Sequence, residues 1–318
     1  MSYYRKRPEL LRPVAAGLVA GSALRQIARS LECAPNTAAE VSAHLGRHAM
    51  LLQARALSSL RGRLDEPVVF DHFETFEFTQ DFQFGVGTAV GTRSWFVYGL
   101  DPAPHGRSGR RSPAQLRRLR SRPQRASHGH YEGSTRRVLD LLLQLRRPDR
   151  RLALRTDAHP GYRRVLQRHP QRHAIHAESH PNPPRGARGS PRSRQAIDRD
   201  RALFPVDLLH KILRHSLAHH RRETIAFARR INAAMERLFL TAVWRNFVKK
   251  RSERRRSATT PAVALGLTAS SWSWKRVLSR RLFYDRIDLP EPWPLLYRRE
   301  WTTPLLTSNA RHDRSRAF

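Results

Sequence analysis

The sequence predicts an α/β protein: a mixed sheet flanked by helices, preceded by an all-α helix-turn-helix unit. Three observations predict it. Residues 67–101 hold the densest run of β-branched and aromatic residues in the chain, with Gly85, Gly87 and Gly91 as punctuation. Apolar positions at helical spacing precede that run and return after it. Asp71 closes the first strand signal and Asp157 closes a later one. An acid at the end of a buried strand is costly unless it is paired or binds a cation.

In chain order, residues 9–31 carry Leu10, Leu11, Val14, Leu18 and Val19 at helical spacing, and Ser22 reads as the cap of a second run through Leu24, Ile27 and Leu31. Glu32-Cys33-Ala34-Pro35 breaks it, and Asn36 or Thr37 opens a third run through Val41, Leu45 and His48. Helix, short turn and capped helix form the helix-turn-helix pattern, with 22–31 as first helix and 36–48 as recognition helix. Arg25, Asn36, Thr37, Glu40 and His44 are its DNA-facing candidates; a plain three-helix bundle is the alternative. Residues 51–66 read as a linker helix ending in a polar RGRLDEP segment.

Strands are expected at about 67–72, 82–90 and 93–99, and a basic loop at 102–133, within which Ser112 and Pro113 open a possible helix to Arg120. An amphipathic helix follows over 134–146, then a strand over 151–157, a short helix from Tyr162 to Arg168 and a strand over 172–178. A second Arg/Pro/Gly-rich loop covers 179–203. From Phe204 the pattern is helical to about Lys250, with a bend expected at His219-His220-Arg221-Arg222. Residues 251–318 form a basic C-terminal extension, expected to be partly disordered. This divides the chain into 1–50, 51–66, 67–250 and 251–318.

The net charge is +34, from 60 basic against 26 acidic residues. An excess of that size points to a polyanionic partner, nucleic acid by default. Lysine occurs only at Lys6, Lys211, Lys249, Lys250 and Lys275. A GC-rich genome favours the remaining arginines, which also suit phosphate forks. The lone cysteine, Cys33, excludes an intramolecular disulfide and a multi-cysteine zinc site. The opening MSYYRKRPELLR lacks the apolar core of a signal peptide, and no apolar window is long enough for a membrane span. A soluble, intracellular protein is expected.

Three strands, helix, strand, helix, strand and long helix is the element order of the ribonuclease H fold. With VVFDHFETFEF, ALRTDAHPGYRRVL and HRRETIAFARRINAAMERLFLTAVWRNFVK in that order, roughly residues 10–285 resemble the DDE transposases of bacterial insertion sequences. The resemblance implies a ribonuclease-H-like catalytic domain over 67–250 that cuts and joins DNA with Mg²⁺ or Mn²⁺. It also implies binding to terminal inverted repeats, at least a dimer, and a cytoplasmic, nucleoid-associated location.

Such chemistry needs carboxylates from different elements to converge on hard cations. Asp71 would bridge both metals and Asp157 would hold one. Two candidates stand for the third acid. Asp207 follows Pro205 near a helix start, where the family places its last acid; Glu223, in RRETIAF, has the residue type the family uses. On one straight helix they would lie ~24 Å apart, so both cannot serve the same metals. Arg214, Arg221 and Arg222 are candidates for holding substrate phosphates, or form a solvated helix face. His159, His219 and His220 could ligate metal but read more simply as solvated or phosphate-facing. A non-catalytic DNA-binding regulator, a decayed copy and a basic structural protein are the rival readings.

Overall fold

A computed structural model describes residues 6–79, 81–105, 112–120, 131–184, 187, 189–221 and 224–301. Its centre is a five-stranded mixed sheet in the order β3-β2-β1-β4-β5. The strands are β1 (Val68–Phe76), β2 (Gln83–Gly91), β3 (Val97–Pro104), β4 (Leu152–Thr156) and β5 (Ile175–Ser179). β1, β2 and β3 pair antiparallel, whereas β4 runs parallel to both β1 and β5. Eleven α-helices accompany them among the described residues: α1 (Leu11–Val19), α2 (Leu24–Ser30), α3 (Pro35–Ser58), α4 (Pro113–Arg120), α5 (Tyr131–Leu145), α6 (Pro160–Arg168), α7 (Arg194–Ser216), α8 (Ile231–Val243), α9 (Pro261–Ala264), α10 (Trp274–Ser279) and α11 (Trp293–Tyr297). The protein is thus an α/β structure with a mixed sheet flanked by helices.

Side-chain alternation along β1 sorts the layers. Phe70 and His72 meet Tyr162 of α6, and His72 also meets Ser134 of α5. Asp71 and Phe73 point the other way, towards His210 of α7. One continuous apolar core runs from Leu10 to Trp301.

The three-strand stretch forms as expected, but its limits differ. β1 continues to Phe76, so Asp71 sits inside the strand rather than at its end. β3 starts at Val97 and runs to Pro104, into the stretch expected to be loop. Its prolines are tolerated because β3 is an edge strand, where a missing N–H faces no partner. Buried Asp101 is tolerated because Arg137 of α5 grips it with bonds of 2.8 and 2.6 Å. Within 102–133, α4 forms where Ser112 and Pro113 predict it: Ser112 Oγ accepts from Gln115 N, and Gln115 Oε1 accepts from Ser112 N. The rest of that loop, 106–111 and 121–130, lies outside the described residues.

Three helical expectations need correction. First, the third helix does not stop near His48. α3 is one helix from Pro35 to Ser58, capped at Ala34, and it crosses the boundary expected at residue 50. It is held because most of its length is buried against α8. The two helices touch at Gly46, where any Cβ would stand 2.5 Å from the Glu236 carbonyl oxygen. Likewise α2 is capped at Ala23, whose N–H donates to Gln26 Oε1, not at Ser22.

Second, α7 starts at Arg194, inside the stretch read as the loop 179–203, and Pro205 lies within it. Its first half shows no apolar stripe because it is solvated and charge-paired: Arg194 with Asp198, and Arg192 and Arg199 with Asp200. Ser193 caps it by accepting from Ala196 N. Asp207 is therefore in the body of a helix rather than at its start. After α7 the chain turns through a short 3₁₀ segment, Ala218–His220, and resumes as α8.

Third, the C-terminal extension, expected to be basic and partly disordered, packs into the common core as far as residue 301. Trp272, Val277, Trp293, Leu296 and Trp301 are buried in the common core. Trp293 packs edge-on against Phe239 at 4.5 Å and donates Nε1–H to the Leu100 carbonyl. The disorder expected for the closing SNARHDRSRAF segment, 308–318, lies outside the described residues.

Candidate active site

The site is built by strand register. β1 and β4 pair as Val68↔Leu154 and Val69↔Arg155. Two residues further along each parallel strand stand Asp71 and, just past the end of β4, Asp157. The register therefore sets these acids level on adjacent strands. α7 crosses β1, β2 and β4 and brings Asp207 near enough for its charge to reach Asp71. Asp71 is pushed up to about 7, first by burial, then by the charge of Asp157, and also by that of Asp207.

Asp71 is held from several sides. Its Oδ1 accepts from His72 N at 2.8 Å and from the Tyr162 hydroxyl at 3.3 Å. Burial, with the charges of Asp71 and Asp157, raises the Tyr162 phenol and keeps it a donor. The same hydroxyl lies 2.7 Å from His72 Nδ1, and His72 Nε2 lies 3.2 Å from Ser134 Oγ. On the opposite face, Thr88 donates its hydroxyl proton to the Asp71 carbonyl at 2.8 Å. Thr88 Oγ1 is then left to accept from His210 Nε2, also at 2.8 Å. That fixes the His210 tautomer and leaves Nδ1 as a lone pair, 3.8 Å from Asp71 Oδ2. Burial, followed by Arg214 and Arg199, lowers His210 to about 3, so the ring is neutral.

Asp157 follows β4 and precedes α6. Its Oδ1 accepts from His159 N at 3.0 Å, an Asx-turn contact, and Asn182 Nδ2 reaches its Oδ2 at 3.5 Å. Ala158, at φ 68°, makes the sharp bend into α6. Asp207 is held by a close ion pair with Arg199, two turns earlier on α7, which also contacts Asp200.

Asp71 lies within reach of the charges of Asp157 and Asp207, but the three carboxylates do not close into a metal-binding group. Glu223 and Arg222 lie outside the described residues. Arg214 turns inward: its Nη1 donates to the His220 carbonyl at 2.7 Å, Nη2 donates to the Glu74 carbonyl, and the guanidinium covers the Phe73 ring at 4.4 Å. Arg221 is exposed and reaches the Gly21 carbonyl at 3.4 Å. On the N-terminal helices Arg25, Asn36 and Glu40 are exposed, and Thr37 and His44 are half-buried. His159 is exposed and caps α6 by accepting from Gly161 N at 3.2 Å. His219 and His220 are not solvated, as was expected of them. Both are buried, with His220 Nδ1 2.8 Å from Thr75 Oγ1 and His219 Nε2 accepting from Arg237 Nε at 3.1 Å.

Sequence reasoning missed Tyr162, Thr88, Arg199 and His210. His210 had a usable signal, since it lies three residues after Asp207 and so shares its helix face. The others are reached only through register and packing.

No group of three or more His, Cys, Asp or Glu side chains is close enough to hold a metal ion among the described residues. The donors nevertheless suit a hard cation in kind, being carboxylate oxygens whose mutual repulsion a divalent ion would relieve. Asp207 must first leave Arg199. No described helix is long and apolar enough to cross a membrane. The class defined here is an α/β protein with a five-stranded mixed sheet flanked by helices, in which Asp71 feels the charges of Asp157 and Asp207. No protein-family model, no curated protein and no solved structure matches the chain.

Proposed function

We propose that the protein is a DNA transposase with a ribonuclease-H-like core, which cuts and joins DNA strands with the help of divalent cations. The observation that carries this reading is the common level of Asp71 and Asp157 on parallel neighbours β1 and β4, with Asp207 delivered by α7. The strand order, with three antiparallel strands followed by two parallel ones, supports the same core. The charge of +34 supports a nucleic-acid partner.

Asp71, Asp157 and Asp207 bind Mg²⁺ or Mn²⁺ in this reading. When bound, the cation supplies Lewis acidity to the scissile phosphodiester and to its attacking hydroxyl or water. Tyr162 and the His72 N–H orient Asp71 from one side, and Thr88 with His210 fixes its backbone from the other. Arg199 neutralises Asp207 and would have to release it for Asp207 to hold a cation. The exposed first turns of α3 with Arg25 of α2 contact the transposon ends, and two such ends call for at least a dimer.

Calorimetric titration with Mn²⁺ tests the acids. The wild-type chain is expected to bind Mn²⁺ at pH 7 and to release protons, because Asp71 is half-protonated there. Asp71→Asn should abolish both, and Arg199→Gln should tighten binding by freeing Asp207. Equal binding by wild type and Asp71→Asn would remove the basis of the reading.

A further inference from the structure

Beyond the acids, the turn joining β2 to β3 holds a strained aromatic residue at the surface. Trp95 has φ 62°, a left-handed conformation that bulky side chains rarely adopt. The surrounding structure over-determines it. The carboxylate of Glu66, itself 6% exposed, accepts from Arg93 N at 2.7 Å, from Ser94 N at 2.9 Å and from the Tyr98 hydroxyl at 2.7 Å, and it also binds the Ser94 hydroxyl. Thr92 N donates to the Pro67 carbonyl and Trp95 N to the Gly91 carbonyl. Strain maintained by so many bonds is a reason to look for function.

What the turn presents is an aromatic pair in a basic setting. The Trp95 ring, half-buried, lies 5.6 Å from that of Phe204, which is 45% exposed. The buried Arg245 guanidinium sits 5.5 Å from the Trp95 ring centre. Arg251 donates to the Arg93 carbonyl at 2.8 Å, which ties the basic run after α8 to the same turn. Arg93, Arg201, Arg254, Arg255 and Arg256 are exposed. Phe204 is three residues before Asp207, so it lies one helical turn from that acid on the same side of α7.

We propose that Trp95 and Phe204 form a stacking platform for unpaired nucleobases, flanked by arginines that hold the backbone, at the entrance to the acid site. Bases stack on aromatic faces regardless of sequence, and surrounding arginines neutralise phosphates. The exposed arginines around the pair outnumber the neighbouring acids Asp198, Asp200 and Glu253, which favours a polyanion over a protein partner. The platform deepens the DNA reading above and rests on it for the position of the strand. Its binding can be read without the acids.

The test is fluorescence anisotropy of a labelled oligothymidylate with the full chain in EDTA, where cation chemistry is silent. Trp95→Gly fits the left-handed backbone, so it removes the ring without unfolding the turn. Trp95→Gly and Phe204→Ala are each expected to weaken single-strand binding about 10-fold. Blunt duplex binding should change less than about twofold, and the salt dependence should be unchanged because no phosphate contact is lost. Trp95→Phe should restore most of the affinity. Unchanged single-strand affinity in variants that melt like wild type would overturn the platform, as would equal losses for single strand and duplex. Neither result bears on Mn²⁺ binding at the acids, so the two readings fail separately.

Discussion

Asp71→Asn is expected to stabilise the metal-free protein by about 2–4 kcal/mol at pH 8 and hardly at all at pH 4. The carboxyl of Asp71 is raised from 3.8 to about 7, by burial first and by Asp157 and Asp207 after it. Between those values the native chain keeps a proton that the unfolded chain has released. Stability therefore falls as pH rises through that window, and the cost is fully present above about 7. Asn carries no charge to desolvate and still accepts from His72 N and Tyr162, so the penalty disappears. Added Mn²⁺ should then raise the melting temperature of wild type at pH 8, but not that of Asp71→Asn, because only the wild-type native state gains a ligand. Thermal unfolding at the two pH values, with and without Mn²⁺, reads all four quantities. A melting temperature of Asp71→Asn at or below wild type at pH 8 would mean that the acids do not repel as described.

Arg299→Met is expected to cost about 3–5 kcal/mol, the largest stability loss of any single change considered. Arg299 follows α11 and forms two bonds to Glu236 of α8, 2.8 and 3.0 Å, with both side chains almost completely buried. Burial already raises the Glu236 carboxyl against the pull of Arg299. Without the guanidinium its buried charge loses both hydrogen bonds and keeps only the weaker pull of Arg47 and Arg237. The loss should grow as pH rises above the ordinary carboxylate range, because the native state then holds a proton on Glu236 that the unfolded state lacks. Glu236→Gln combined with Arg299→Met should recover most of the stability. Urea denaturation at pH 5 and pH 8 measures this, and a loss under about 1 kcal/mol would show that the C-terminal segment is not integral to the fold.

The centre of the sheet was legible because Val68–Phe70 and Phe84–Val90 obey the strand composition, and Asp71 stood out as an acid in that apolar run. Asp157 was legible for the same reason. The continuation of β3 through Asp101, Pro102 and Pro104 was not, since what permits it is an edge position and the distant Arg137. The first half of α7 was hidden because its faces are filled by ion pairs rather than an apolar stripe. That α3 packs on α8 at Gly46 is a contact between residues far apart in sequence, and local periodicity carries no trace of it. At the proposed site, Asp71 and Asp157 could be named from sequence, with Asp207 and Glu223 as alternatives for the third acid. Tyr162 and Thr88 could not, because each acts through a hydrogen bond set by the packing of β2 and α6 against β1.

The most direct measurement is Mg²⁺- or Mn²⁺-dependent nicking of supercoiled DNA by the purified chain, beside Asp71→Asn, Asp157→Asn, Asp207→Ala and Glu223→Ala. Wild type is expected to nick, with Asp71→Asn and Asp157→Asn silent, Asp207→Ala reduced at least about 100-fold, and Glu223→Ala active. Nicking by Asp71→Asn at the wild-type rate, or DNA binding by wild type without nicking in either cation, would contradict a catalytic role for the converging acids.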